Sequence, residues 1–397
     1  MIDPACEKLA DSVLVPPFPG TTAPAWFLAA LERGLAGVTF FASNMAGGPE
    51  SIVALTASLR SAAPDLLIAT DEEGGDVTRA FYGTGSPYPG NAALGAADDA
   101  SLTEDVYAAM GADLAALGIN LDLAPCLDVL SAPLNPVIGT RSFGSAPSLV
   151  ARHGAAAVRG LQSRGVAACA KHFPGHGATV LDSHLELAEV PGDAEEVALR
   201  DLPPFREALA AGVLTVMPGH LRVPWLTGSL PASLSPSAME LLRGELGFSG
   251  VVVTDGLEMR AVCDPYGLPG ASVRALAAGC DLLCLGRDQS EDDYLAVRSA
   301  IVEAVRTGEL SSARLEEAAD RVASLRARLA AASAASGTKA VPEPEVGLRA
   351  ARRALRLTGP RPELSDPVVV EVEPLLNIAV GQAHWGLAGW VPSGSLR

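Results

Sequence analysis

The stretch Gly250-Val251-Val252-Val253-Thr254-Asp255-Gly256 is a run of β-branched residues that stops at a carboxylate and a glycine. A short apolar run bounded by turn residues reads as a strand buried on both faces. Seven further runs have the same form: Ser12–Val15, Val38–Phe41, Leu66–Thr70, Ile119–Leu123, Ala167–Ala170, Leu214–Met217 and Asp281–Leu285. Between them lie segments with apolar residues three and four apart: Trp26–Arg33, Pro49–Ala62, Leu102–Ala116, Ser148–Arg164, Ala194–Ala210, Ala238–Leu246 and Ala271–Ala278. That spacing is helical. Alternating strands and helices predict a parallel sheet, and eight units is the count of a TIM-like (β/α)8 barrel.

A barrel of this kind carries its chemistry at the C-terminal ends of its strands. The third run passes into Asp71-Glu72-Glu73-Gly74-Gly75, the fifth into Lys171-His172, the sixth into Pro218-Gly219-His220 and the seventh into Asp255. An open, doubly wound sheet is the alternative, and it does not account for polar residues ending strands throughout the series. After a last helical stretch, Ser312–Ala331, the segment Ala332–Glu345 is rich in Ala, Ser, Gly and Pro and reads as a linker. The tail offers a basic helix (Val346–Leu357), a strand-like run (Pro367–Val372) and a loop-rich end with Trp385 and Trp390. We therefore expect a barrel over residues 1–331, a linker over 332–345, and a short C-terminal α/β extension over 346–397. The extension is too small for its own core, so it should pack on the barrel or on a second copy in a homodimer.

The formal charge of −17, from 29 basic and 46 acidic residues, disfavours nucleic acid and anionic membrane as partners. The N-terminal Met1-Ile2-Asp3-Pro4-Ala5-Cys6-Glu7-Lys8 lacks the basic and apolar regions of a signal peptide, and no apolar run reaches membrane-spanning length. The expected location is the cytoplasm. Six scattered cysteines fit buried, reduced thiols better than a disulfide framework. Cys280 and Cys284 have no second pair nearby and lie in an apolar stretch, which argues against a metal.

Three of the six histidines fall in Lys171-His172-Phe173-Pro174-Gly175-His176-Gly177-Ala178-Thr179-Val180-Leu181-Asp182-Ser183-His184. A zinc site on His172, His176 and His184 is one reading, but ligands separated by a Pro-Gly loop beside a lysine do not form a usual metal pattern. Asp182 and His184 offer another. A carboxylate beside an imidazole holds its tautomer and favours the imidazolium, making a general acid and base. Asp255 at a barrel mouth, followed by a glycine that admits a substrate, suits a nucleophile that adds to an anomeric carbon. A helix N-cap is the structural alternative for that residue. Asp71, Arg141, Lys171 and His172 carry the donors and acceptors that hold a hydroxylated ligand, although Asp71 and Arg141 could instead pair with each other.

Residues 5 to 330 resemble glycoside hydrolase family 3, and specifically its β-N-acetylglucosaminidase branch. The resemblance rests on Lys171-His172-Phe173-Pro174-Gly175-His176-Gly177 with Asp182-Ser183-His184, on Asp255 followed by Leu257 and Met259, and on Asn135-Pro136-Val137-Ile138-Gly139-Thr140-Arg141-Ser142-Phe143-Gly144. It implies a retaining double displacement with Asp255 as nucleophile and an Asp182/His184 acid/base dyad. It also implies Asp71, Arg141, Lys171, His172, His220 and Met259 as contacts of a small glycoside or oligosaccharide. Neither metal nor cofactor is implied.

The chain departs from the resemblance at three places. Glu72 stands where Gln is expected and Asp76 where a basic residue is expected, which adds negative charge near the mouth. Met217-Pro218-Gly219-His220 has a Pro-Gly turn in place of a plainer Met-x-x-His, and the tail resembles only the opening of the family's second α/β domain. Rival readings are a phosphorylase using the same dyad, since a histidine does not repel phosphate, a β-glucosidase indifferent to the acetamido group, and a non-catalytic sugar-binding barrel.

Overall fold

Ten short strands, all pairing in parallel, organise the computed structural model, which describes residues 4–335, 345–360 and 379–380. They are β1 (Leu14–Val15), β2 (Gly37–Thr39), β3 (Leu67–Thr70), β4 (Leu121–Asp122), β5 (Ala167–Phe173), β6 (Ala188–Glu189), β7 (Thr215–Pro218), β8 (Leu221–Arg222), β9 (Val251–Val252) and β10 (Leu283–Cys284). Six of them form one sheet in the order β2-β3-β4-β5-β7-β9, and β1 pairs with β10. A parallel bridge from Val253 to Leu282 joins the two pieces, and Thr39 Oγ1 donates to the Val15 carbonyl across the remaining seam. The curled sheet is the TIM-like (β/α)8 barrel expected from the sequence. The pair β6–β8, at its rim, was not foreseen, because two-residue strands carry no periodicity.

Side-chain parity explains how the barrel fills. Leu67 and Ala69, Ala167 and Cys169, Val251 and Val253, and Leu282 and Cys284 form an inner cluster, while Ile68, Ala168, Val252 and Leu283 between them join the outer layer under the helices. Successive residues of a strand face opposite sides, so the runs are apolar at every position. The last long helix, Ser312–Ala335, plugs the bottom of the inner cluster with Val322, Leu325 and Leu329. Buried Asp281 fixes this end, accepting from Arg243, Arg314 and Arg321.

Two expected helices divide for local reasons. Ala194–Ala210 becomes Ala194–Arg200 and Leu202–Ala210, because Pro203 and Pro204 can occupy only the first turn of a new helix. The stretch Arg260–Ala278 is two helices meeting at Gly267, with φ of 66° between Pro265 and Pro269. The tail helix, Val346–Ala354, packs on the barrel: Val346 and Ala350 are buried and Arg353 pairs with Asp99 at 2.9 Å. Gly347 lies so close to the Pro87 carbonyl that a Cβ would sit 2.0 Å from it. Of the expected linker, 332–345, residues 332–335 instead continue the last long helix, while 336–344 lie outside the described residues, as do the run Pro367–Val372, Trp385 and Trp390. Among those described, no helix is long and apolar enough to cross a membrane.

Glu72 does not add charge to the mouth. It is buried under the loop that follows β3, where it accepts from Thr78 Oγ1 (2.7 Å), the Arg79 and Ala80 amides (3.0 and 3.1 Å) and Ser86 Oγ (3.2 Å). Burial raises its pKa from 4.5 to about 7 in spite of these four donors. The folded protein therefore binds the proton more tightly than the unfolded chain. Its contribution to stability is complete below about pH 4.5 and is lost as pH rises through about 7. Glu72→Gln keeps one acceptor oxygen for Thr78, Arg79 and Ala80, turns the other position into a donor that Ser86 Oγ can accept, and removes the titration. Urea denaturation should find the variant more stable than wild type by on the order of 1–3 kcal/mol at pH 8, with the gain vanishing near pH 5.

Candidate active site

The parity that fills the barrel also aims its strand ends. Asp71, Lys171 and Asp255 each stand two residues beyond an inward apolar residue, Ala69, Cys169 and Val253, so their side chains enter the mouth. There they border a cavity of about 500 Å³ that also meets Arg141, His172, His184 and Met259. Seven of the nine residues singled out in the sequence thus share one cavity. Asp182 and His220 stand behind it.

Asp71 and Arg141 do not pair with each other. Both are joined through Glu73, which the sequence reading passed over. Its buried carboxylate takes Arg141 Nε and Nη2 at 2.9 and 2.8 Å and Lys171 Nζ at 2.8 Å, and Lys171 also donates to Asp71 Oδ1 at 2.7 Å. Burial alone would raise the Glu73 pKa; the two cations overcome it and hold the carboxyl well below its usual range. Lys171 is held above the usual lysine range, its burial outweighed by Asp71 and Glu73. Two acids and two bases therefore form a balanced, pre-set clamp. Glu73 was legible in principle, since it has the same parity as Asp71.

Asp128 is the second residue the sequence reading missed. It is fully buried and takes His172 Nδ1 at 2.7 Å, the His172 and His176 amides at 3.2 and 2.6 Å, and Cys126 Sγ at 3.1 Å. That set leaves His172 Nε2 toward Arg141 Nη2, 3.4 Å away. Burial would raise the Asp128 carboxyl, and the neighbouring imidazoles hold it low instead. Arg79 is the third. It borders the cavity, and its guanidinium donates to the Ala379 and Val380 carbonyls at 2.6 and 3.5 Å, which brings this piece of the tail to the mouth.

The three histidines of the zinc reading do not converge. His176 is buried, with Nδ1 on Thr179 and Nε2 on Ser183, while His172 turns to Asp128 and His184 to Asp182. Among the described residues, Cys126, Asp128 and His172 come close enough to share an ion. Their donor atoms are instead hydrogen-bonded to one another at 2.7 and 3.1 Å, shorter than the spacing of ligands around a tetrahedral zinc.

His184 Nδ1 and its backbone amide both bond Asp182 Oδ1, at 2.7 and 2.9 Å. Burial raises the Asp182 pKa, and these two bonds and the imidazole charge more than offset it. Asp255 is also brought low, to about 2: burial opposes ionisation, but His220, His172, His184 and the Gly256 amide outweigh it. His220 is not a contact of the cavity. It is buried, with Nδ1 on Ser233 at 2.6 Å and Nε2 on the Gly256 carbonyl at 2.9 Å, and burial lowers its pKa. The Pro-Gly turn before it thus places His220 behind the Asp255–Gly256 peptide as a support.

A model of the glycosyl hydrolase family 3 N-terminal domain matches residues 29–325. The chain is 34% identical to β-hexosaminidase A of Pseudoalteromonas piscicida over 76% of this chain and 54% of that protein. It is 37% identical to β-hexosaminidase LpqI of Mycobacterium tuberculosis over 66% of this chain and 68% of the other. It therefore spans about half to two thirds of the length of these relatives. A solved glycoside hydrolase family 3 β-N-acetylglucosaminidase from Paenibacillus sp. FPU-7 superposes with a TM-score of 0.86 at 38% identity, covering 95% of this chain and 75% of that one. With its family model matched over most of its length and its barrel shared with that enzyme, the chain belongs to glycoside hydrolase family 3.

Proposed function

We propose that the chain is a retaining exo-β-N-acetylglucosaminidase that removes terminal non-reducing β-linked N-acetylglucosamine. The observation that carries the reading is an ionised carboxylate, Asp255, facing the same cavity as a histidine, His184, whose far nitrogen is fixed by a carboxylate. The sugar specificity leans on the relatives, which are named β-hexosaminidases and a β-N-acetylglucosaminidase.

The Asp71–Lys171–Glu73–Arg141 clamp and His172 hold the sugar hydroxyls with groups already at their hydrogen-bonding positions, so little ordering remains when substrate arrives. An Asp255 oxygen attacks the anomeric carbon as the glycosidic bond breaks. The imidazolium of His184 gives its proton to the departing oxygen, and the Asp182 carboxylate, bonded to Nδ1, orients the ring. In the second step neutral His184 takes a proton from water, the hydroxide oxygen bonds to the anomeric carbon, and the Asp255 ester opens. Two inversions give net retention.

Asp255→Ala should lower kcat for 4-nitrophenyl N-acetyl-β-glucosaminide by roughly 10⁴-fold or more while leaving the product sugar's affinity within severalfold. Wild-type-like turnover in that variant would end the mechanism. His184→Ala should depend on the leaving group. For alkyl glycosides, whose oxygen must be protonated, kcat/KM should fall by roughly 10²–10⁴-fold; for a 2,4-dinitrophenyl glycoside the fall should be far smaller. Equal losses on both substrates would remove His184 from the acid role. Proton NMR of the first-formed sugar should find the β-anomer, and accumulation of sugar 1-phosphate in phosphate buffer would reassign the acceptor.

A further inference from the structure

Glu258 borders the cavity of Asp255 and His184, yet the reaction as proposed makes no use of it. Its carboxyl lies between Gly256, in its own turn, and Gly286, just beyond β10. A Cβ on either glycine would overlap Oε2, and Gly286 has φ of +85°, so the carboxyl occupies space that only glycines at both positions leave open. Oε1 accepts from the Arg287 amide at 3.0 Å. Oε2 is closed off from solvent and, among the described residues, has no hydrogen-bond partner. The turn that this carboxyl closes touches both proposed reacting groups. The Gly256 amide donates to Asp255 Oδ1 at 2.8 Å, and the Arg260 amide donates to the His184 carbonyl at 3.3 Å. The Leu257 amide, on the Cys284 carbonyl at 3.0 Å, joins the turn to β10, and the Glu258 carboxyl adds a tie to the rim beyond it.

A seat of this kind suits the neutral acid. A carboxylate needs donors for both oxygens, and burying one without them is costly. The surrounding groups do not supply them. Asp255 is an anion, the Cys263 and Cys284 thiols are raised by burial and stay neutral, and the Arg287 guanidinium leans to Asp288 at 3.7 Å. Asp71 and His184, on the same cavity, are bonded to Lys171 and Asp182. Burial, helped by the Asp255 charge, raises the Glu258 pKa from 4.5 to about 7, against the pull of the Arg287 amide, its own amide and the Arg287 charge. A carboxyl released to water ionises near 4.5, so raising the pH from there to about 7 progressively favours release.

We propose that Glu258 is a positioning residue: with its proton in place the carboxyl seats between Gly256 and Gly286 and locks the Asp255 turn to the rim, and loss of the proton unseats it. The inference rests on the glycosidase reading above and adds a pH-dependent lock to the same site. The first test is amide hydrogen–deuterium exchange of the wild-type chain, corrected for intrinsic rates. Protection of residues 255–260 and 285–288 should be about tenfold or more lower at pH 8 than at pH 5. In Glu258→Gln, which cannot ionise, it should not change with pH. Constant protection in the wild type, or a fall confined to the loop that holds Glu72, overturns the lock whether or not the variant folds. The second test is kcat/KM for 2,4-dinitrophenyl N-acetyl-β-glucosaminide, whose departing oxygen needs no proton from His184. It should fall about 30-fold from pH 6 to pH 8.5 in the wild type and under about threefold in Glu258→Gln. Glu72 titrates in the same range and is present in both proteins, so an equal fall in both overturns the role of Glu258. Hydrolysis by neither protein at any pH overturns the glycosidase reading itself and leaves the exchange measurement to decide the lock.

Discussion

In a closed ring of parallel strands every second side chain points at the axis, and the space there is too narrow for more than a packed column. The inward positions below the mouth are accordingly Leu67, Ala69, Ala167, Cys169, Val251 and Val253, small or branched and free of charge. The same period, carried one step past the inward residues Ala69, Cys169 and Val253, brings Asp71, Lys171 and Asp255 to the top of that column. A shift of register by one residue would bury these three charges under the helices and expose apolar side chains to the mouth. The core and the site are thus consequences of one pleat, and neither can be altered by register without losing the other.

Charge at such depth is tolerable only when it is balanced in place. Burial disfavours ionisation of Glu73, Asp128 and Asp255, and in each case named cations or amides reverse it. Glu73 illustrates the consequence best. It spends both oxygens on Arg141 and Lys171, which leaves Asp71 with a single lysine contact and cavity in front of it. Asp122 has one oxygen on the Glu72 amide and, among the described residues, the other without a partner; burial, with Glu72 and Asp71 nearby, raises its pKa more than that amide and the Lys171 charge lower it. The difference between these buried acids is set by their neighbours and not by their depth.

The strand runs and the residues that end them were legible because a parallel barrel writes its strands as continuous apolar blocks, and a charge at the end of a block stands out. Asp128 and Arg79 were not, because each acts through partners distant in sequence, and Glu73, although it shares the parity of Asp71, shows its role only through such partners. Glu73 reaches Arg141 sixty-eight positions away and Asp128 reaches His172 forty-four away. Asp128 is further hidden because it lies five residues past the end of the Ile119–Leu123 run, beyond Ala124-Pro125, and not at the end of the block. His220 shows the reverse error. The resemblance implied it as a ligand contact, whereas both ring nitrogens are committed to protein.

That commitment bears on Asp255 in its proposed role as nucleophile. A lysine or arginine bonded to its carboxylate would hold it ionised but would also occupy the oxygen that the proposed attack needs. Here one Asp255 oxygen takes the Gly256 amide at 2.8 Å, and the surrounding rings supply electrostatic support. His220 donates from Nε2 to the Gly256 carbonyl, so it fixes the peptide that carries this amide without competing for the carboxylate. The fixed cations of the site are instead gathered at the clamp, where Glu73 and Asp71 neutralise them. Such a division, with the lysine and arginine neutralised at the clamp and imidazoles around Asp255, suits the proposed nucleophile: a carboxylate held low in pKa with an oxygen left for bond formation.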